Sequence, residues 1–348
     1  MSVSWKKKGV VDLSGITVLV PGRLHAHAVE RIEERFRLVR TERADPVLIN
    51  ARAARGVRAV AAFGGVTQGF IDALPNLEII ANFGVGYDGV DAVHAARRNI
   101  VVTNTPDVLT DEVADTAIAL LLNTLREFPR AENWLRQGRW PTERNYPLTP
   151  LTLRGRKVGI YGMGRIGQAI AHRLDAFGVT VAYHNRRPIE GEQRAWHDSL
   201  VGLAEAVDTL ICVAPGGEGT KHAVDARVLR ALGASGVFVN VGRGSSVDEP
   251  ALIAALADGT IAAAGLDVFE DEPSVPQALL DLPNACLLPH VASASVHTRR
   301  AMADLVVDNL VSWFESGVAL TPVPETEAIA ANRKAGGDHV GEPAGDNE

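Results

Sequence analysis

The chain has 348 residues, a length that suits two ordinary domains rather than one small core. Apolar residues make up 46% and charged residues 22%, and the formal charge is −7 with no long basic stretch, which excludes a typical nucleic-acid partner. Cys212 and Cys286 both lie in apolar runs, as buried reduced thiols do, so no disulfide framework is expected. No metal site is read from the sequence. No apolar segment is long enough to span a bilayer, and none follows the basic Lys6-Lys7-Lys8 run as a signal peptide would require. The cytoplasm is the expected location and no membrane partner is expected.

Residues 1–14 read as a loose leader. Short β-branched runs then alternate with helical patterns, which argues for a parallel sheet covered by helices. Strands are expected at Thr17–Val20, Ala59–Ala62, Glu78–Ala81 and Ile100–Thr103, with helices at His27–Phe36 and Val90–Arg98 among those between them. A long apolar helix follows, with Thr110 as its cap and Asp111 and Glu112 in the first turn, where negative charge suits the dipole. Its near-continuous apolarity predicts burial on most sides, against a second domain or a second subunit. Residues 127–150 carry Trp134, Trp140 and Tyr146 among Pro and Arg and read as an irregular arm.

A second alternating series is expected to place strands at Lys157–Tyr161, Val179–Tyr183, Thr209–Val213, Val237–Val241, Ile261–Leu266 and Ala285–Leu288. A last helix is expected from Val296 to Phe314. From about Pro324 the chain is polar and Gly-rich and reads as a disordered tail over 324–348.

The segments after the second set of strands carry the chemistry, because ligands of open parallel sheets bind beyond the strands' carboxyl ends. Tyr161 is followed by Gly162-Met163-Gly164-Arg165-Ile166-Gly167. Between a strand and a helix, this is a dinucleotide fingerprint. Gly162 makes the turn, Gly164 admits the pyrophosphate, and Gly167 lets helix and sheet approach, with Arg165 and Ile166 opening the helix. The next strand ends in Asn185-Arg186-Arg187, where a carboxylate would select NAD. With no carboxylate there and two guanidinium groups to hold a 2′-phosphate, the expected cofactor is NADP(H), with NAD(H) as the weaker alternative. Ala214, Pro215 and Thr220, after the third strand of the series, and Val241 and Gly242, at the fourth, complete the expected cofactor contacts.

Arg243, Glu272 and His290 fall on the same expected edge. An imidazole titrates near neutrality and can give a proton, a carboxylate can orient it, and a guanidinium can hold a keto acid. Their bland readings, a structural histidine and solvated loop charges, lose weight because all three meet beside the cofactor loop.

The four segments GMGRIG, NVGRG, DVFEDEP and LPHVASAS, in that order, resemble the D-2-hydroxyacid dehydrogenases over roughly residues 15–322. VTNTPDVLTDEVADTAIALLL and NYPLTPLTLRGRKVGIYG most resemble the glyoxylate/hydroxypyruvate reductases of that family. The resemblance implies an α/β protein of two doubly wound parallel-sheet domains with a cleft between them. A flavodoxin-like substrate domain would take 1–104 and 291–323, and a Rossmann cofactor domain 105–290. It makes His290 the proton donor, Glu272 its support and Arg243 the ligand of carboxylate and keto oxygen. It places Val85 and Gly86 at the substrate carboxylate and Asp267 at the nicotinamide carboxamide. It also implies a homodimer joined through the 127–150 arm, with Trp140 reaching the partner's site. A small 2-keto acid, reduced to the D-2-hydroxy acid, is the expected substrate. The alternatives are a larger keto acid such as an aryl pyruvate or 2-ketogluconate, and a weakly catalytic module similar to the C-terminal-binding-protein corepressors.

Overall fold

A computed structural model describes residues 11–331. It divides into two compact units, one formed by the chain up to Val108 and from Val296 onward, the other by Leu109–Ser295.

The first unit contains β1 (Thr17–Pro21), β2 (Arg37–Thr41), β3 (Val57–Ala62), β4 (Ile79–Asn82) and β5 (Val101–Thr103). All pairings are parallel in the order β2-β1-β3-β4-β5, the flavodoxin-like order. Val18, Leu19, Val60, Ile79 and Ile80 are fully buried, as strands covered on both faces must be. β2 is a strand that the hydrophobic pattern does not announce. It lies at the sheet edge, where RLVRT leaves Arg37 and Arg40 exposed. The helix Val296–Ser316 joins this unit by packing on the helix Ala26–Arg35. Arg31 bridges Asp304 and Asp308, His27 meets Asp304, and Arg35 meets Glu315.

The second unit contains β6 (Lys157–Tyr161), β7 (Thr180–His184), β8 (Ala195–His197), β9 (Thr209–Cys212), β10 (Val237–Asn240), β11 (Ala263–Leu266) and β12 (Ala285–Leu287). The order is β12-β11-β10-β9-β6-β7-β8, all parallel. Counted within the unit, this is the Rossmann order with one strand added, and the direction of winding reverses between β6 and β9. β8, only three residues long at an edge, is the second strand without a sequence signal.

Several sequence expectations are corrected. The long helix runs Thr110–Arg126, and Thr110 is its first helical residue; Leu109 holds the cap position and makes no side-chain cap bond. Asp111 and Glu112 do occupy the first turn. The helix is buried inside its own unit, on β11 and the helix Arg165–Asp175. It seats so closely that a Cβ on Gly265 would lie 2.5 Å from Thr124 Oγ1. The 127–150 arm is not irregular throughout: helices form at Phe128–Arg136 and Trp140–Glu143. Glu127, at φ 52°, breaks the long helix, and Pro129 falls in the next first turn, where its missing N–H costs nothing. Trp134 is buried there against Tyr146, edge to face at 5.5 Å.

The disorder expected from Pro324 does not begin there. Thr326 is fully buried and its hydroxyl bonds to the backbone of Val102, because the chain passes over β5. Residues 332–348 of the expected tail, and residues 1–10 of the expected leader, lie outside the described residues. Cys212 is buried and Cys286 only partly so; both are free, and burial pushes the Cys212 thiol up to about 12. Among the described residues, no helix is long and apolar enough to cross a membrane.

Candidate active site

β6 delivers the chain into the glycine loop at the carboxyl edge of the second unit's sheet. Gly162 takes φ 101°, and an added Cβ would stand 2.7 Å from Ala214 Cα. A Cβ on Gly167 would stand 2.5 Å from Gly162 O. Gly164, at the N-terminus of the helix Arg165–Asp175, is different: nothing lies within 4 Å of its missing Cβ. Two glycines therefore allow backbone contact, and the third leaves open space at the N-terminus of the helix. This is the cradle a dinucleotide pyrophosphate requires. The loops after β9 and β10 also touch, since a Cβ on Gly242, which follows Val241, would meet Ala214 O at 2.7 Å. Thr220 Oγ1 donates to Pro215 O at 2.7 Å and folds the first of these loops.

Asn185 is part of the cradle's frame. Its Oδ1 accepts from Met163 N–H at 2.7 Å, its Nδ2 donates to Met163 O at 3.3 Å, and Trp196 Nε1 donates to its carbonyl at 3.1 Å. Its amide thus holds the glycine loop, which leaves the exposed Arg186 and Arg187 as the groups that face outward. Neither has an ion-pair partner among the described residues.

The structure brings His290 and Glu272 together. His290 Nδ1 lies 2.7 Å from Glu272 Oε2, and Glu272 Oε1 accepts from Phe269 N–H at 3.0 Å. Burial alone would raise the Glu272 carboxyl. The hydrogen bonds from His290 and Phe269, with the charges of His290 and Arg243, outweigh it and hold the carboxyl below its usual value. With Nδ1 engaged, His290 is left to offer Nε2. Its backbone sits at φ 51°, its N–H bonds to Asp267 O at 2.8 Å, and the next two N–H groups, of Val291 and Ala292, donate to Asp267 Oδ1 and Oδ2. Asp267 is fully buried and its carboxyl is raised by that burial, which the two N–H bonds partly counter. Its observed work is to hold the turn that carries His290, and a contact with a carboxamide would have to share the same oxygens. Arg243 follows Gly242 on a loop whose backbone is tied by Asn240, Nδ2 to Arg243 O and Oδ1 from Gly242 N–H.

In the first unit, the segment after β4 reads Phe83-Gly84-Val85-Gly86. Asn82 Nδ2 donates to Gly84 O and Gly86 O, and Asn104 Nδ2 to Val85 O at 2.9 Å. With three carbonyls held, the N–H groups of Val85 and Gly86 find no partner among the described residues. Two adjacent amides are thus left open to an acceptor. The sequence reading missed Asn82, Asn104 and Asn240, which hold these loops. Their shared signal was available: each stands where a buried strand ends.

Comparison with known proteins agrees with this geometry. Residues 118–292 match the family model described as D-isomer specific 2-hydroxyacid dehydrogenase, NAD binding domain. A solved NADPH-dependent glyoxylate/hydroxypyruvate reductase of Sinorhizobium meliloti, in complex with NADP and malonate, is 63% identical. It superposes with a TM-score of 0.88 over 90% of this chain and 98% of that one. The glyoxylate/hydroxypyruvate reductase A of Arabidopsis thaliana is 43% identical over 89% of this chain and all of its own length. A hydroxyphenylpyruvate reductase of Plectranthus scutellarioides is 42% identical over the same shares. By its glycine cradle, its Arg–Glu–His set and these full-length matches, the chain belongs to the D-isomer-specific 2-hydroxyacid dehydrogenases.

Proposed function

We propose that this protein is an NADPH-dependent reductase of small 2-keto acids of the glyoxylate/hydroxypyruvate class, giving the D-2-hydroxy acid. The observation that carries the reading is the His290–Glu272 pair on the sheet edge that also bears the glycine cradle and the Asn185-Arg186-Arg187 strand end. When bound, NADPH supplies the hydride. The Leu109–Ser295 unit does the cofactor work and the other unit holds the substrate carboxylate at Val85 and Gly86. His290 carries a proton at Nε2 for the keto oxygen, while Glu272 fixes the ring through Nδ1. Arg243 brings a permanent, forked positive charge to the keto acid. A larger aryl keto acid is the second reading, favoured by the likeness to the hydroxyphenylpyruvate reductase. Turnover of glyoxylate, hydroxypyruvate, hydroxyphenylpyruvate and 2-ketogluconate, each with NADPH and NADH, separates the readings. No turnover with tight cofactor binding would indicate a corepressor-like module instead.

Arg186 and Arg187 are the 2′-phosphate ligands in this reading. Replacing both with Ala is expected to cut the NADPH-over-NADH ratio of kcat/KM by about tenfold to a hundredfold, the worth of one or two charge-assisted hydrogen bonds. An unchanged ratio would remove both residues from the site.

The chain is proposed to be a homodimer joined through the 127–150 arm, where Phe128, Leu135, Trp140 and Leu148 are exposed. Light scattering should give twice the chain mass, and Trp140→Asp with Leu148→Asp should shift it toward one. The free thiols suit a reducing compartment, the cytoplasm.

A further inference from the structure

The loop after β11, Asp267-Val268-Phe269-Glu270-Asp271-Glu272, carries two glutamates in bonds with histidines. Glu272 bonds to His290. Glu270, two residues earlier, accepts from His222, with Nε2 2.5 Å from Oε1. His222 belongs to the loop after β9, the one folded by Thr220 and Pro215. Like His290, it holds a left-handed backbone, at φ 50°. Non-glycine residues keep that conformation only where the surroundings enforce it, and here they do. His222 N–H donates to Ser245 O at 2.8 Å, and Val224 N–H donates to Ser246 O at 3.0 Å. These bonds stitch the cofactor loop to the Arg243 loop.

The Arg243 loop is in turn pressed onto the glutamate loop. A Cβ on Gly244 would overlap the Phe269 carbonyl carbon at 1.9 Å, so only glycine lets the two backbones meet. Glu270 N–H donates to Glu249 Oε2 at 3.3 Å, and Phe269 N–H donates to Glu272 itself. Three loops, carrying the cofactor contacts, Arg243 and the partner of the acid, are thus laced together. The His222–Glu270 bond is a direct side-chain link between the first and the third. Both partners are about one-third exposed. A side-chain pair that wet adds little to folding stability, so its value lies in what it aligns.

We propose that His222 is a positioning residue that couples the cofactor loop to the loop of Glu272, so that a seated nucleotide and an aligned His290 favour each other. This rests on the reductase reading above. The bond ties Glu270 in place, and Glu270 and Phe269 share the backbone that presents Glu272 to His290.

The test uses the full chain with His222→Asn, Glu270→Ala and both together. Asn tolerates the left-handed backbone but is too short to reach Glu270. Three quantities are read: NADPH dissociation constants by fluorescence titration, kcat with hydroxypyruvate, and hydrogen exchange of the Phe269 and Glu270 amides without cofactor. Each single variant is expected to raise the dissociation constant by about fivefold, lower kcat by about tenfold and speed exchange at both amides, as a coupling of ordinary size would. The double variant should be no worse than either single one, since one bond can be lost only once. Glu270→Gln keeps an acceptor and should recover most of the loss. Single variants that match the parent in either constant, or losses that multiply in the double variant, overturn the proposal. A parent chain without NADPH turnover would overturn the reductase reading instead, a separate outcome.

Discussion

His290→Gln is expected to lower kcat by about a hundredfold to ten-thousandfold, the usual worth of a positioned general acid, while leaving NADPH affinity near that of the parent. Gln is close in size but has no proton to give near neutral pH. The ring it replaces is held at Nδ1 by Glu272 at 2.7 Å, and the turn beneath it is held independently by Asp267 through Val291 and Ala292. The loss therefore falls on proton transfer rather than on the turn. Because His290 has φ 51°, His290→Asn is the fair companion: it suits the left-handed backbone and equally lacks an acid. Equal losses in both variants would locate the effect in the imidazole. Turnover that survived within a small factor would show that another group gives the proton. Glu272 is held below the ordinary carboxyl value, so it stays ionised through the neutral range. Any contribution from its pairing is present there and is lost only as pH falls through that lowered value.

Arg243→Ala is expected to raise the Michaelis constant for the keto acid and lower kcat, each by about tenfold to a hundredfold. A guanidinium near both the carboxylate and the developing alkoxide serves ground state and transition state together, so both constants should move. Asn240 holds the loop's backbone and Gly244 seats it on Phe269, and the Arg243 guanidinium adds one bond of its own, donating to Gly242 O at 2.8 Å. Arg243→Lys should recover little, since an ammonium lacks the planar fork. Steady-state kinetics on both variants test this, and a normal Michaelis constant in Arg243→Ala would remove its carboxylate role. Combined with His290→Gln, the losses should fall short of their product if, as proposed, both residues act on one reacting group.

Much of the site was legible because its demands are local. The glycine spacing around Gly162, Gly164 and Gly167 follows from what a tight strand-to-helix turn needs: Gly162 and Gly167 sit in close backbone contact and Gly164 precedes the helix. The histidine, the glutamate and the arginine stood out because charged or titratable residues followed apolar strands. Asn185 was legible in place but not in role: its position at the end of β7 was plain, whereas its clamp on Met163 depends on a neighbouring strand 22 residues away. The edge strands β2 and β8 escaped notice for a related reason. An edge strand buries little, so it need not carry the apolar run by which central strands announce themselves.

Alternating apolar runs, the loop glycines and the residues at strand ends thus determined the layered α/β architecture, the nucleotide cradle and the identity of the chemical groups, because each is a property of a few adjacent residues. Tertiary structure alone decided how those groups are held. It gave Asp267 the turn beneath His290, Asn82 and Asn104 the carbonyls that free two amides, and His222 its bond to Glu270. It also brought Thr326 onto Val102 across more than two hundred residues of chain. Such contacts join segments far apart in sequence, and their pairing depends on which strands lie side by side, which no local pattern encodes.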